Sequence, residues 1–178
     1  MFPPNPSEYP NSSYFTEYLN FSPTDILSEQ MKNNELFVLN LFESLSDQEL
    51  LYSYQENKWS IKELIGHICD TEKIFCFRAL SIVRGEQNPL PSFDENQYVA
   101  QANFDQLSPN QLIQYYFANR TATLAFIETL TDEQLSRKGT ANGHEVSARA
   151  LLWMTAGHEK HHLTVINERY IPLLNKKY

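Results

Sequence analysis

The sequence predicts an all-α protein, a four-helix bundle with a long crossover between helices two and three. Three observations carry this reading. Apolar residues recur at helical spacing over four segments, each about 20 residues long. The Pro-rich run Asn88-Pro89-Leu90-Pro91-Ser92 separates the second segment from the third. Gly is scarce, and the one Asn-Gly pair, Asn142-Gly143, lacks flanking apolar alternation, which argues against a hairpin-rich β fold. A chain of 178 residues suits a single domain with a sizeable core.

Residues 1–21, rich in Pro, Ser, Asn and Tyr, are expected to form an extended N-terminal arm that packs through its aromatics or frays. The bundle domain is then expected over 22–178. Its first long helix opens at Ser22-Pro23, a cap followed by Pro in the first turn. Leu27, Met31, Val38, Leu41 and Phe42 suit one face, with a polar gap at Asn34-Glu35 and an end near Ser44. The second helix starts at a capping box, Ser60 with Glu63, carries Ile61, Leu64, Ile65, Ile68, Phe75, Ala79 and Ile82, and stops at Gly85. A short helix over Glu95 to Ala102 interrupts the crossover. The third helix opens at Ser108-Pro109 and runs through Leu112, Tyr116, Leu124 and Ile127 to Leu130. The fourth spans Ser147 to Tyr170, with Pro172 beyond its end. A faint repeat supports a paired arrangement, since Ser44-Leu45-Ser46-Asp47-Gln48-Glu49-Leu50 echoes Thr129-Leu130-Thr131-Asp132-Glu133-Gln134-Leu135. Each copy is followed by a connector, a helix and a helical Gly-His pair.

The net charge of -8 argues against a nucleic-acid groove, and Lys176-Lys177 reads as a solvated tip. No stretch reaches the ~18 apolar residues of a membrane span. The N-terminus has neither a basic region nor an apolar signal core, so a cytoplasmic protein is expected. Cys69 and Cys76 lie in one helical segment, ~10 Å apart at ~1.5 Å per residue, too far for a disulfide. They read as reduced, packing thiols; the alternative, a redox or metal role, rests on Cys69 lying two residues from His67.

Gly-His recurs at Gly66-His67 and Gly157-His158, with a third copy, Gly143-His144, in a loop. His158 and His162 are four apart and share one face of the fourth helix, a stripe that also holds Leu151, Thr155, Val165 and Arg169, whereas His161 is peripheral. Two imidazoles on a largely apolar stripe need partners, and a divalent ion shared with His67 would satisfy them. The glycines leave room beside the rings. Hydrogen-bonded core histidines, or chance surface ones, are the alternative. Three neutral imidazoles bring no negative charge, so a bound ion keeps its Lewis acidity and an open position. Water or a thiol there would be a nucleophile at neutral pH. Asp70, Glu72 and Glu159 are candidates to support the ligands, or else solvated helix positions. Arg78 and Arg149 could clamp an anionic substrate, or else make surface pairs.

The run Lys58-Trp59-Ser60-Ile61-Lys62-Glu63-Leu64-Ile65-Gly66-His67-Ile68-Cys69-Asp70-Thr71-Glu72 resembles the second helix of the DinB/YfiT-like superfamily. Asn142-Gly143-His144-Glu145-Val146-Ser147 resembles the start of its fourth helix, Gly157-His158-Glu159-Lys160-His161-His162 its metal motif, and Leu90-Pro91-Ser92-Phe93-Asp94-Glu95 the loop of its DinB-like branch. The similarity covers about residues 25 to 172. It implies a four-helix bundle with a long crossover, usually a homodimer, with one divalent ion held by three histidines that map to His67, His158 and His162. Members of the superfamily include S-transferases and isomerases that use bacillithiol, mycothiol or glutathione, and others are grouped as metal-dependent hydrolases or damage-inducible proteins.

The functions that compete are therefore three. The first is transfer of a low-molecular-weight thiol to an electrophilic small molecule. The second is metal-assisted hydrolysis, with Asp70 or Glu72 as the candidate catalytic base. The third is a stress-associated binding or scaffold protein whose metal only stabilises the bundle. Zn and Ni both suit three imidazoles.

Overall fold

The chain winds through α1 (Ser13–Asn20), α2 (Leu27–Ser44), α3 (Asp47–Leu50), α4 (Ile61–Val83), α5 (Glu95–Ala102), α6 (Pro109–Glu128) and α7 (Asp132–Leu135). A two-stranded hairpin, β1 (Lys138–Ala141) and β2 (His144–Ser147), then leads into α8 (Ala148–Val165) and α9 (Ile171–Leu174). The computed structural model describes residues 1–21 and 26–174. The expected start at Ser22-Pro23, the boundary at residue 22 and the Lys176-Lys177 tip lie outside the described residues.

Side chains close the helix starts where the sequence places them. Ser60 with Glu63 and Ser108 with Gln111 form capping boxes at α4 and α6, each satisfying otherwise orphaned N–H groups. Ser147 accepts from the Ala150 N–H at the start of α8. Gly85, at φ 90, ends α4 in the left-handed region, where the Glu86 N–H reaches the Ser81 carbonyl. Both halves of the repeat form a one-turn helix with its own capping box, and Leu50 and Leu135 are buried.

The long helices are α2, α4, α6 and α8, with the crossover between α4 and α6 as expected. Each of α2 and α4 packs along both α6 and α8, so the order around the bundle is α2, α8, α4, α6. Helices α2 and α4, and likewise α6 and α8, therefore stand diagonally. One apolar cluster, including Met31, Phe75, Ile82, Leu151 and Met154, fills one end. A second, including Val38, Ile65, Ile68, Leu112 and Leu163, fills the other. Asn34, Glu72, Arg120 and Glu159 form a buried polar layer between them.

Three expectations are corrected. The N-terminal arm is not extended: α1 is a helix packed along α8. It is pinned by the Trp153 indole N–H donating to the Phe2 carbonyl at 2.7 Å and by Ser147 donating to Glu8 at 3.0 Å. Asn142-Gly143 is a hairpin turn rather than part of a loop, because both residues adopt positive φ, 50 and 75, as a tight two-residue connection requires. Leu90 in the crossover bridges to Ala141 beside it. Finally, the last helix does not end before Pro172. A π-helical turn over Ile166–Tyr170 changes the hydrogen-bond register, and the Ile171 N–H reaches the Ile166 carbonyl. That wider turn accommodates a proline, which lacks an N–H and crowds the preceding turn.

Candidate metal centre

Each Gly-His pair does two jobs. A Cβ at Gly66 would collide with the Phe104 ring, and one at Gly157 would collide with the Tyr18 carbonyl. The glycines thus admit the crossover and α1 against the bundle, rather than making room for the imidazoles. The adjacent histidines face a cavity between α4, α8 and α1. His67 from α4 and His158 and His162 from α8 meet tip to tip. His158 Nε2 lies 3.1 Å from His67 Nε2 and 3.0 Å from His162 Nε2. One ligating atom from each ring lies within 4.8 Å of the others.

Burial holds these rings neutral. It pulls His67 down to about 4 and His162 to about 3, from an ordinary value of 6.5. His158 is driven well below that value, by burial first and then by the charges of His162, His67 and His161. Neutral imidazole is the ligating form, and three converging nitrogen lone pairs with no carboxylate among them suit a divalent ion of borderline softness. The chemistry of the donor set therefore fits a divalent metal ion. His161 lies beside the cluster, its ring against Tyr18 and Phe21 and near Glu17. His144 lies in β2 beside Phe15 and is exposed.

The cavity measures about 400 Å³. Trp59 stacks near His67 at 4.8 Å between ring centroids, and Tyr18 and Phe75 stand edge-on to His158 at 5.4 and 6.1 Å. Tyr14, Thr71, Arg78, Phe93 and Asn142 complete most of the wall, with Glu95 the one carboxylate along it among the described residues.

The other sequence candidates are elsewhere. Asp70 accepts the Tyr115 hydroxyl at 2.8 Å, and it does not line the cavity. Glu72 points inward, but into the polar layer, where Arg120 Nε and Nη2 each donate to it at 3.1 Å. Glu159 takes Arg120 at 2.6 Å, Asn34 at 2.8 Å and Tyr116 at 2.5 Å. Arg149 pairs with Glu8 and Asp132, away from the cavity, whereas Arg78 lines it. Cys69 is buried, and Cys76 meets the Thr123 hydroxyl at 3.3 Å. Burial raises both thiols, Cys76 to about 11, so both are protonated packing groups. Arg120, which is fully buried, was missed from the sequence. Its signal was an i, i+4 spacing from Tyr116 on the apolar stripe of α6. Thr71 and the aromatics of α1 were missed as cavity walls.

Fold and site together define a class: helical bundles in which histidines from two helices converge at one enclosed cavity. The chain belongs to the DinB superfamily, which it matches over residues 38–166. A protein of Oceanobacillus iheyensis, named as a candidate metal-dependent hydrolase, is 29% identical over 147 residues, 79% of this chain and 83% of its own length. Among solved structures, YfiT of Bacillus subtilis is described as a probable metal-dependent hydrolase with an unusual four-helix bundle topology. It superposes with a TM-score of 0.73 at 17% identity over 96% of this chain and 94% of that one. The mycothiol-dependent maleylpyruvate isomerase gives 0.63 at 19% identity, over 82% of this chain and 61% of that one. No helix among the described residues is long and apolar enough to cross a membrane.

Proposed function

We propose that this chain is a metal-dependent enzyme that transfers a low-molecular-weight thiol, of the bacillithiol or glutathione type, to an electrophilic small molecule. His67, His158 and His162 would hold one divalent ion, Zn or Ni. Such an ion supplies a Lewis acid that lowers the pKa of a thiol or water brought to its open position. The observation that carries the choice is the wall of the cavity. Asp70 and Glu72, the candidate bases, are engaged by Tyr115 and Arg120 instead of facing the histidines. A thiol activated by a metal needs no further base, whereas hydrolysis gains from one. The chain's own contribution is enclosure: Trp59, Tyr18 and Phe75 exclude water and hold an apolar electrophile close to the imidazoles.

Hydrolysis is the second reading, favoured by the names of the Oceanobacillus protein and YfiT. The mycothiol-dependent isomerase favours the first. The proposal includes a homodimer in the cytoplasm; a monomer mass by light scattering would remove the dimer.

The test begins with metal content by mass spectrometry on tag-free protein. About one ion per chain in the wild type, lost in His162→Ala, is expected from a three-imidazole site. The loaded protein is then assayed with 1-chloro-2,4-dinitrobenzene and either bacillithiol or glutathione, beside ester substrates without thiol. Thiol-dependent turnover that His67→Ala abolishes supports transfer, and thiol-independent turnover supports hydrolysis. Bound metal without turnover of any substrate leaves a binding protein. Full activity in His67→Ala would sink both enzymatic readings.

A further inference from the structure

His67, Thr71 and Arg78 lie at successive positions on one face of α4, and all three line the cavity. Two of them carry polar groups without a partner among the described residues. Thr71 is 2% exposed, and its hydroxyl oxygen has no hydrogen bond. A helical threonine ordinarily returns its hydroxyl to the carbonyl four residues back. Thr123, Thr155 and Thr164 do so, bonding Asn119, Leu151 and Lys160. Thr71 does not, and it lines the cavity.

Arg78 is 5% exposed. One of its five donors reaches the Pro91 carbonyl at 2.6 Å, and the guanidinium lies over Phe93. Among the described residues no carboxylate comes within ion-pair distance of it. Its two counterparts with little exposure are paired: Arg120 with Glu72 and Glu159, and Arg149 with Glu8 and Asp132. A neutral donor would hold the Pro91 carbonyl as well as Arg78 does. A desolvated cation is therefore left wanting an anion, and arginine keeps its charge under such conditions. Glu95, exposed at the rim, does not reach it.

We infer that the cavity takes an elongated carboxylate ligand, with its reacting end at the three histidines, a hydrogen-bond acceptor at Thr71 and its carboxylate on Arg78. This rests on reading the cavity as the substrate site, though not on thiol transfer. The backbones of His67 and Arg78 are ~16 Å apart along the helix at ~1.5 Å per residue. Arginine on a helix leans toward the N-terminus, so the two ends of the ligand stand on the order of 10 Å apart. Phe75 and Phe93 line the cavity with Arg78, and Trp59 stands against His67, so the body of the ligand is apolar or aromatic.

The probes are 4-benzamidobutyrate and its neutral carboxamide, titrated calorimetrically into metal-loaded full-length protein. The wild type is expected to bind the acid about tenfold or more tightly than the carboxamide, the worth of one charge-assisted bond. Arg78→Gln should weaken the acid by about the same factor and leave the carboxamide unchanged, while Arg78→Lys recovers part of the loss. Thr71→Val should weaken both probes by a few fold. Equal binding of acid and carboxamide, binding of neither, or an unaltered acid affinity in Arg78→Gln overturns the inference. The comparison of acid with carboxamide in the wild type decides it even where a variant does not fold. His162→Ala separates the two readings: an Arg78-dependent affinity that persists without metal keeps this inference even where the metal-dependent enzyme falls.

Discussion

His158 and Glu159 are adjacent on α8, about 100° apart around the helix, and the two regions they enter differ in how completely their polar atoms are met. Glu159 enters the layer at the middle of the bundle. Both its oxygens accept hydrogen bonds, from Tyr116, Asn34 and Arg120, and Arg120 also grips Glu72 through two nitrogens. Burial pushes the Glu159 carboxyl up, while the Arg120 guanidinium opposes that rise. His158 enters a cavity where nitrogen meets nitrogen, and among the described residues no carboxylate joins the three converging rings. The first region is closed on itself and holds helices together. Among the described residues, the second gathers lone pairs, an orphan hydroxyl and a cation without a carboxylate around a cavity, which is the form of a binding site. Burial and charge alone do not distinguish them; the completeness of the partners does.

The sharpest way to break this contrast is Arg120→Met. It leaves two buried carboxylates without their cation, and a loss of ~3–5 kcal/mol is expected in denaturant unfolding. Metal-free His158→Ala, which removes an imidazole the fold does not need, should stay within ~1 kcal/mol of the wild type. Equal losses in the two variants would erase the distinction. Next in size is the metal itself. Zn at 100 times its dissociation constant should stabilise the wild type by ~2.7 kcal/mol, read as a rise in Tm, and should do nothing for His162→Ala.

Gly157→Ala tests whether α1 belongs to the cavity. The added methyl meets the Tyr18 carbonyl, so a loss of ~1–3 kcal/mol and faster proteolysis within residues 1–21 are expected. Unchanged proteolysis would show that α1 holds without this close approach. The smallest effect concerns Cys76. Burial raises its pKa from 9.0 to about 11. Below pH 9 the thiol is protonated folded or unfolded, and stability does not depend on it. Between pH 9 and 11 the unfolded chain loses the proton that the folded chain keeps, so stability falls as pH rises. Cys76→Ser should flatten that alkaline slope, and native protein at pH 8 should react slowly with iodoacetamide.

The bundle helices were legible because their determinants are local. Ser60 with Glu63, Ser108-Pro109 and Gly85 sit next to the N–H and carbonyl groups they serve, and the apolar period runs along a single segment. The grouping of His67 with His158 and His162 was legible too, from one i, i+4 pair, a matching Gly-His and a repeat that recurs as two capped turns. The hairpin at Asn142-Gly143 escaped notice because its strands of four residues are too short to show an alternating pattern, although the turn residues were in view.

Everything that depends on which faces meet was decided by packing. Glu72 read as an inward acid, but its partner Arg120 lies 48 residues away on α6 and appears only once α4 and α6 are side by side. The short N-terminal segment became a helix against α8 because Gly157 lets backbone approach backbone there; isolated helices of this length are marginal in water. Thr71 is unremarkable in the chain and becomes informative only when its usual acceptor is found unused. Sequence period and capping chemistry thus specify the helices and place three histidines on two of them, because those are nearest-neighbour effects. Whether a given carboxylate, hydroxyl or cation is spent inside the protein or left for a ligand is a long-range matter, settled by the tertiary structure.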